Sequence, residues 1–189
     1  MRENSLKIAI NAGKYKGKKI SLPSLSSTRS TKSILKNSFF NTLQADIIGV
    51  SFIEMFGGSG SMGLEALSRG AKEAYFIEKD FKALKILEKN CINIDKENTN
   101  CFQGDAFSEI FKILKFTKKP TILYVDPPFE IEDGNVYEKT IKTLKNIDPN
   151  LVDLIAIEHL SKASLPKTIS SFTLYKTKKF GKSSLTYYK

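Results

Sequence analysis

Val50-Ser51-Phe52-Ile53-Glu54-Met55-Phe56-Gly57-Gly58-Ser59-Gly60-Ser61-Met62-Gly63 joins an apolar run to a glycine-rich turn. Between Val50 and Phe56 only Ser51 and Glu54 are polar, the pattern of a strand buried on both faces of a parallel sheet. The glycines permit a tight turn and let a ligand approach the backbone at the start of the following helix. Gly58, Gly60 and Gly63 satisfy G-x-G-x-x-G, and Glu78, 20 residues beyond Gly58, ends the next apolar run, Ala74-Tyr75-Phe76-Ile77. Strand, loop, helix, strand and acid in this register describe a nucleotide-cofactor site with Glu78 on the ribose hydroxyls. The pattern does not choose between NAD and S-adenosylmethionine.

Downstream, the β-branched run Ile122-Leu123-Tyr124-Val125 ends in Asp126-Pro127-Pro128-Phe129. Two prolines fix φ and remove two backbone donors, leaving a stiff corner with free carbonyls and a carboxylate beside an aromatic ring. On its own this corner reads equally as a strand-ending turn; as a site, its rigid acceptors, Asp126 and the Pro127 carbonyl, suit the two N–H groups of a planar substrate's exocyclic amine, with Phe129 as a stacking surface. An amine conjugated into a ring is a weak nucleophile, and two acceptors favour a pyramidal nitrogen whose lone pair is aimed at an electrophile. Stacking on Phe129 adds roughly 1–3 kcal/mol by analogy with nucleic-acid sites.

These residues resemble the bacterial small-subunit rRNA guanine-N2 methyltransferases, within the Rossmann-like S-adenosylmethionine-dependent superfamily. The resemblance runs through the basic start Ala12 to Ile20, Arg29-Ser30-Thr31, Phe56 to Gly60, Gly63 to Ala71, Ile77-Glu78, Asp126 to Phe129, and Phe180-Gly181-Lys182 with Leu185 and Tyr187. It implies S-adenosylmethionine as cofactor, lined by the backbone of Phe56, Gly58 and Gly60, with Glu54 nearby. Glu78 takes the ribose hydroxyls, and Asp105 with the Ala106 backbone reads the adenine amine. Asp126, Pro127, Pro128 and Phe129 hold the target base. The chain departs from the family at Glu54 (usually Asp), Gly57 (usually Ala) and Ser30 (usually Pro). The first adds a methylene to the cofactor-side acid, and the last loosens the Arg29 segment.

The charge is uneven. Net charge is +10, with +8 in residues 1–45, −5 in 46–161 and +7 in 162–189. Cationic ends around an anionic body are the footprint of a nucleic-acid binder, and Lys14, Lys16, Lys18, Lys19 and Lys182 are the expected phosphate contacts. A lysine-rich composition, 27 Lys against 3 Arg, explains the excess but not the missing acids at both ends. The expected partner is small-subunit rRNA, read as an assembled ribonucleoprotein surface because little chain remains for base readout.

A length of 189 residues suits one core. A hydrophobic fraction of 41% and a mean hydropathy of −0.23 suit a soluble globular chain. No apolar run approaches the roughly 20 residues of a membrane span, and the polar start lacks signal-peptide character. Cys91 and Cys101 have no metal-ligand spacing, so reduced core thiols in a cytoplasmic protein and no metal are expected; a monomer is the expected state, though no residue pattern sets it.

The expected architecture is a Rossmann-like α/β sheet, mostly parallel with antiparallel C-terminal strands, preceded by a small β extension. Residues 1–45 form the extension, with strands at 6–10 and 19–22 and a helix over Lys32–Leu43 presenting Ile34, Leu35, Ser38, Phe39 and Leu43. Residues 46–189 form the catalytic domain. A helix over Phe81–Ile94 presents Phe81, Leu84, Leu87, Cys91 and Ile94. Gly104-Asp105 opens another helix, which makes Asp105 equally an N-cap. Gly134 marks a loop, Tyr137–Leu144 a helix and Leu154–Glu158 a strand. Antiparallel strands follow near Phe172–Lys176 and Leu185–Tyr188. The single histidine, His159, reads as structural, because methyl transfer from a sulfonium needs no base tuned near neutrality. Among other classes, an NAD-linked oxidoreductase leaves the Asp126 corner unexplained, and a silent RNA-binding module leaves Glu78, Asp105 and Asp126 unexplained. An adenine-N6 methyltransferase shares the corner but usually carries a target-recognition region that this length cannot hold.

Overall fold

A computed structural model of the protein describes residues 6–23, 29–128 and 135–189. Phe129 and Gly134, read above as a stacking ring and a loop glycine, lie outside the described residues.

The chain begins with a hairpin of β1 (Lys7–Ala9) and β2 (Lys19–Ser21), paired with Ile8 opposite Ile20. Helix α1 (Arg29–Leu43) follows. Strands and helices then alternate: β3 (Ser51–Glu54), α2 (Ser61–Ser68), β4 (Glu73–Glu78), α3 (Phe81–Asp95), β5 (Thr99–Gln103), α4 (Ala106–Ile113), β6 (Thr121–Val125), α5 (Asn135–Lys145) and β7 (Leu154–Leu160). The chain closes with β8 (Thr168–Ile169), β9 (Phe172–Phe180) and β10 (Ser183–Tyr188). Strand order in the main sheet is β5-β4-β3-β6-β7-β10-β9-β8. The first five strands are parallel, and β10 runs antiparallel between β7 and β9. This is the expected Rossmann-like sheet, with β8 as a strand the sequence pattern did not signal.

Side-chain alternation splits the core into two layers. Along β6, Ile122 and Tyr124 join the layer under α1, α2 and α3. Leu123 and Val125 join the one under α4 and α5. Asp80 caps α3 by accepting from the Ala83 N–H at 2.7 Å. Leu84, Leu87, Asn90, Cys91 and Ile94 form its buried face, whereas Phe81, expected in the core, is 56% exposed because it opens the helix before the buried stripe begins.

Helix α1 corrects a second expectation. Ile34 is 59% exposed, and the buried stripe is Leu35, Lys36, Phe39, Phe40 and Leu43. Phe39 sets that rotation: its ring meets Tyr124 edge-on at 5.2 Å and stacks over Tyr187 at 6.1 Å. Lys178 of β9 donates to Thr42 Oγ1 at 2.7 Å and Ser38 Oγ at 3.2 Å, which accounts for Ser38 on this helix.

The hairpin docks on α2 and α3 through polar groups. Glu65 of α2 is fully buried, and its carboxylate accepts from the N–H groups of Asn11 (2.8 Å) and Ala12 (3.1 Å) and from Arg69 Nε (2.8 Å). Lys36 of α1, itself buried, pairs with the same carboxylate at 3.4 Å. Gly13 (φ +83°) passes so close that a Cβ there would sit 1.7 Å from the Ser68 carbonyl oxygen, a position only glycine can occupy.

Candidate active site

The parallel strands deliver their carboxyl ends to one rim, where the glycine turn and the Asp126 corner meet. Gly60, at φ +76°, takes the left-handed conformation that starts α2, and a Cβ there would meet Leu87 Cδ1 at 2.6 Å. The Asn90 side chain locks this turn to the extension. Its Oδ1 accepts from the Ser21 N–H at 2.8 Å, and its Nδ2 donates to the carbonyls of Ser21 and Ser59 at 2.9 Å each. A cavity of about 420 Å³ runs from Gly57, Gly58 and Ser59 to Asp126, with Ile8, Leu22 and Pro23 contributed by the extension.

Glu54 and Asp126 face this cavity. Glu54 is buried and its Oε2 accepts from the Gly63 N–H at 2.8 Å. Burial pushes its carboxyl up to about 8; the N–H groups of Gly63 and Met62 oppose the shift, and the Asp126 charge adds to it. Asp126, whose side chain is 24% exposed, is approached by Lys32 Nζ at 3.5 Å. Desolvation raises its carboxyl above the usual range, against the pull of Lys32. Pro127 is buried and Pro128 exposed, so the corner is held on one side and open on the other.

Glu78 and Asp105 lie across the glycine turn. Glu78 Oε2 accepts from the Gly58 N–H and Oε1 from the Asp80 N–H, both at 2.8 Å, which fixes the carboxylate at the tip of β4. Asp105 is an N-cap, accepting from the Phe107 N–H at 2.9 Å, and Lys139 reaches its other oxygen at 3.4 Å. Its carboxyl is lowered: burial acts against the shift, while the Phe107 N–H and the Lys139 charge drive it. Phe56 and Phe107 meet edge-to-face at 5.6 Å beside it. Ala106, the first residue of α4, is buried behind them. Glu78, Asp105 and Ala106 do not line the cavity that holds Glu54 and Asp126; they adjoin it through the Gly58–Glu78 hydrogen bond and the Phe56–Phe107 ring contact. A fixed carboxylate for hydroxyls, an aromatic pair and a glycine turn, adjoining in this way, fit a nucleoside-bearing cofactor.

The expected RNA contacts are exposed. Lys14 and Lys18 hold their ammonium groups over the Tyr15 ring at 5.0 and 4.9 Å. Tyr15 OH in turn donates to Asp95 at 2.7 Å. Lys16 and Lys19 are exposed on the hairpin, and Lys182 on the β9–β10 turn. His159 is buried with both ring nitrogens engaged, Nδ1 at 2.9 Å from the Leu160 carbonyl and Nε2 at 2.9 Å from Thr186 Oγ1, a structural role as expected. Cys91 and Cys101 are free thiols, with Sγ atoms 3.5 Å apart across the α3–β5 contact. Among the described residues no group of three or more His, Cys, Asp or Glu could hold a metal, and no helix is long and apolar enough to cross a membrane.

Sequence reasoning missed Lys32, Lys36, Glu65, Asn90 and Glu158. Asn90 carried a signal, a polar residue at a core position of the α3 stripe; so did Glu158, an acid ending an apolar strand. Lys32 carried none, because its importance comes from what α1 is packed against.

The family model described as conserved hypothetical protein 95 matches residues 8–189. Ribosomal RNA small subunit methyltransferase D of Escherichia coli strain K12 is 32% identical over 176 residues, covering 92% of this chain and 85% of the relative. The same-named protein of Buchnera aphidicola from Acyrthosiphon pisum is 31% identical over 181 residues, covering 94% and 90%. The solved structure of yhhF from Escherichia coli, a proposed methyltransferase, superposes with a TM-score of 0.76 at 28% identity, covering 97% of each chain. With a glycine-turn crevice and an Asp-Pro-Pro corner on a sheet of this order, the chain belongs to the conserved hypothetical protein 95 family, that of the ribosomal RNA small subunit methyltransferase D proteins.

Proposed function

We propose that this protein transfers a methyl group from S-adenosylmethionine to the exocyclic N2 amine of a guanine in small-subunit rRNA. The observation that carries the reading is Asp126, a carboxylate in a proline-stiffened corner at the end of β6, facing the same cavity as the glycine turn. The relatives' names support rRNA as the substrate class. Bound S-adenosylmethionine supplies an activated methyl on a sulfonium, so no metal is required.

The residues divide the work. The turn at Phe56, Gly58 and Gly60 would hold the cofactor, with Glu78 on the ribose, Asp105 and the Ala106 backbone at the adenine, and Glu54 acting through the turn it fixes. Asp126 and the Pro127 carbonyl would accept the two amine N–H groups, and the Asp126 field would stabilise positive charge as it develops on nitrogen. Pro128 keeps the corner rigid, and Phe129 is proposed to stack on the base. Residues 1–45 act as an RNA-positioning extension to the domain formed by 46–189. Lys14, Lys16, Lys18, Lys19 and Lys182 track phosphates on an assembled subunit, and the chain works as a cytoplasmic monomer.

Mass mapping of methylated guanines in rRNA from cells with and without the gene tests the reading. One N2-methylguanine should vanish with the gene; an unchanged map refutes the proposal. Parallel titrations with S-adenosylhomocysteine and NADH separate it from an oxidoreductase, and tight NADH binding alone would favour the latter. Transfer to purified small subunits should exceed transfer to a short oligonucleotide carrying the target sequence, and equal rates would mean readout of local sequence.

A further inference from the structure

We propose that Glu158 is a second carboxylate of the reaction, balancing the charge of Lys32 while Asp126 takes the proton released by the methylated amine. The inference rests on the reading of Asp126 as acceptor for that amine.

Strands β6 and β7 pair in parallel, with Tyr124 opposite Ala156 and Val125 opposite Ile157. The paired register ends at Val125 and Ile157, so Asp126 and Glu158 are the next residues along the two neighbouring strands, near enough for the Asp126 charge to act on Glu158. Alternate side chains share a face, so Tyr124 and Glu158 lie on the side covered by α1, from which Lys32 reaches Asp126 at 3.5 Å. Glu158 is 3% exposed, and the Tyr124 hydroxyl donates to its Oε2 at 2.9 Å. Each neighbouring element contributes what faces it. Tyr124 and Asp126 come from β6 and Lys32 from α1. Glu54 stands on β3 opposite Tyr124, and Tyr137 of α5, whose hydroxyl accepts from the Leu160 N–H at 2.9 Å, flanks the strand end. On β10 the partner is apolar Leu185, while adjacent His159 is tied to Thr186. Glu54 keeps its proton near neutrality, its carboxyl being pushed up to about 8 by burial and the Asp126 charge, so Lys32 is the cation and Asp126 and Glu158 are the ionised carboxylates of this cluster.

The charge balance follows. The amine lone pair forms the N–CH₃ bond as the S–CH₃ bond breaks, the electron pair stays on sulfur, and nitrogen becomes cationic until it sheds one proton. With both carboxylates ionised, the cluster starts at −1, matching the charge that develops on nitrogen, and ends neutral once Asp126 holds the proton. With Glu158 protonated the cluster would start neutral and end with an unbalanced positive charge beside the half-exposed Lys32, which opposes the build-up of cationic charge on the amine nitrogen. Burial and the Asp126 charge hold Glu158 up at about 7, against Lys32 and the Tyr124 hydrogen bond, so its ionisation falls where activity is measured.

The test is a single-turnover pH–rate profile for methyl transfer from radiolabelled S-adenosylmethionine to purified small subunits. The wild-type rate should climb through pH 7 to a plateau. Glu158→Gln keeps an acceptor for Tyr124, and its profile should lose that limb or move it down by at least one unit, with a plateau at least tenfold lower. Glu158→Asp should restore a limb near neutrality. A Glu158→Gln limb in the wild-type position overturns the inference, whatever the plateau height. Tyr124→Phe provides a second route should Glu158→Gln fail to fold: losing a donor to the carboxylate should move the limb upward, and an unmoved limb again overturns it. Asp126→Ala separates the two levels. Wild-type turnover in that variant would sink the reading of Asp126 itself, whereas an inactive Asp126→Ala beside an unmoved Glu158→Gln limb would sink the role of Glu158 alone.

Discussion

Replacing Glu65 by Gln should loosen the hairpin from the catalytic body. The Glu65 carboxylate is fully buried and receives four partners: two backbone N–H groups, Arg69 and Lys36. Glutamine keeps one oxygen acceptor, so one of the Asn11 and Ala12 N–H groups stays paired and the other faces an amide donor. The larger loss is electrostatic, because Lys36, 6% exposed at its side chain, is left without a carboxylate partner. Removing one partner of a buried pair costs about 3–5 kcal/mol. The retained hydrogen bond, worth about 1 kcal/mol, reduces the expected cost to about 2–4 kcal/mol. Urea denaturation measures the change, and the Lys36→Met partner closes the cycle: since the methionine removes the stranded charge, the double variant should be less destabilised than the two singles added together, with a coupling of about 1–3 kcal/mol. Protease cleavage near Gly17 should accelerate in parallel. A Glu65→Gln chain within about 0.5 kcal/mol of wild type, the range of an ordinary surface change, would refute the argument that this carboxylate anchors the extension.

Asp126→Ala should keep S-adenosylhomocysteine affinity within about threefold while removing most methyl transfer, read by calorimetry and single turnover. The 1.4 kcal/mol-per-decade rule turns the loss of a charged hydrogen-bond acceptor, about 1.5–3 kcal/mol, into roughly 10–150-fold weaker cofactor binding for Glu78→Ala; unchanged affinity there would remove Glu78 from the cofactor site. Replacing Lys14, Lys16, Lys18 and Lys19 together by Gln should flatten the log–log salt dependence of RNA binding by about 0.7–0.9 for each phosphate no longer neutralised, and an unaltered slope returns these lysines to solvent. Glu54, raised to about 8 when folded, binds its proton more tightly in the native state, so stability should fall as pH rises from about 4.5 to 8. Glu54→Gln should flatten that decline, and equal slopes in the two chains would contradict the assignment.

Where one element's own pattern governs burial, the sequence was readable. Val50 to Phe56 and Ile122 to Val125 announce buried parallel strands, and glycines with Glu78 at fixed spacing announce the turn after β3 and the carboxylate at the tip of β4 that bonds to it. Asp105 showed its capping role through Gly104-Asp105 alone. Helix α1 marks the boundary of this legibility. Its apolar residues permit more than one face, and the choice against Ile34 depends on Tyr124 and Tyr187, more than 80 positions away. Lys32 and Lys36 were illegible for the same reason: a lysine on a helix reads as a solvated side chain until the sheet beneath supplies a carboxylate. Strand β8, two residues long, was too short for alternation to register.

The place of β10 between β7 and β9 bears on how the chain reaches its native state. Among the described residues, β8 and β9 join the parallel strands through β10 alone, and α1 packs against Tyr187 within it. On a ribosome, where elements emerge in order, β8 and β9 are made first and have no edge to join. The open side of β7 stays exposed until Ser183 to Tyr188 arrive. A chain interrupted before Ser183 would therefore forfeit three strands and bare the β7 edge, inviting intermolecular pairing.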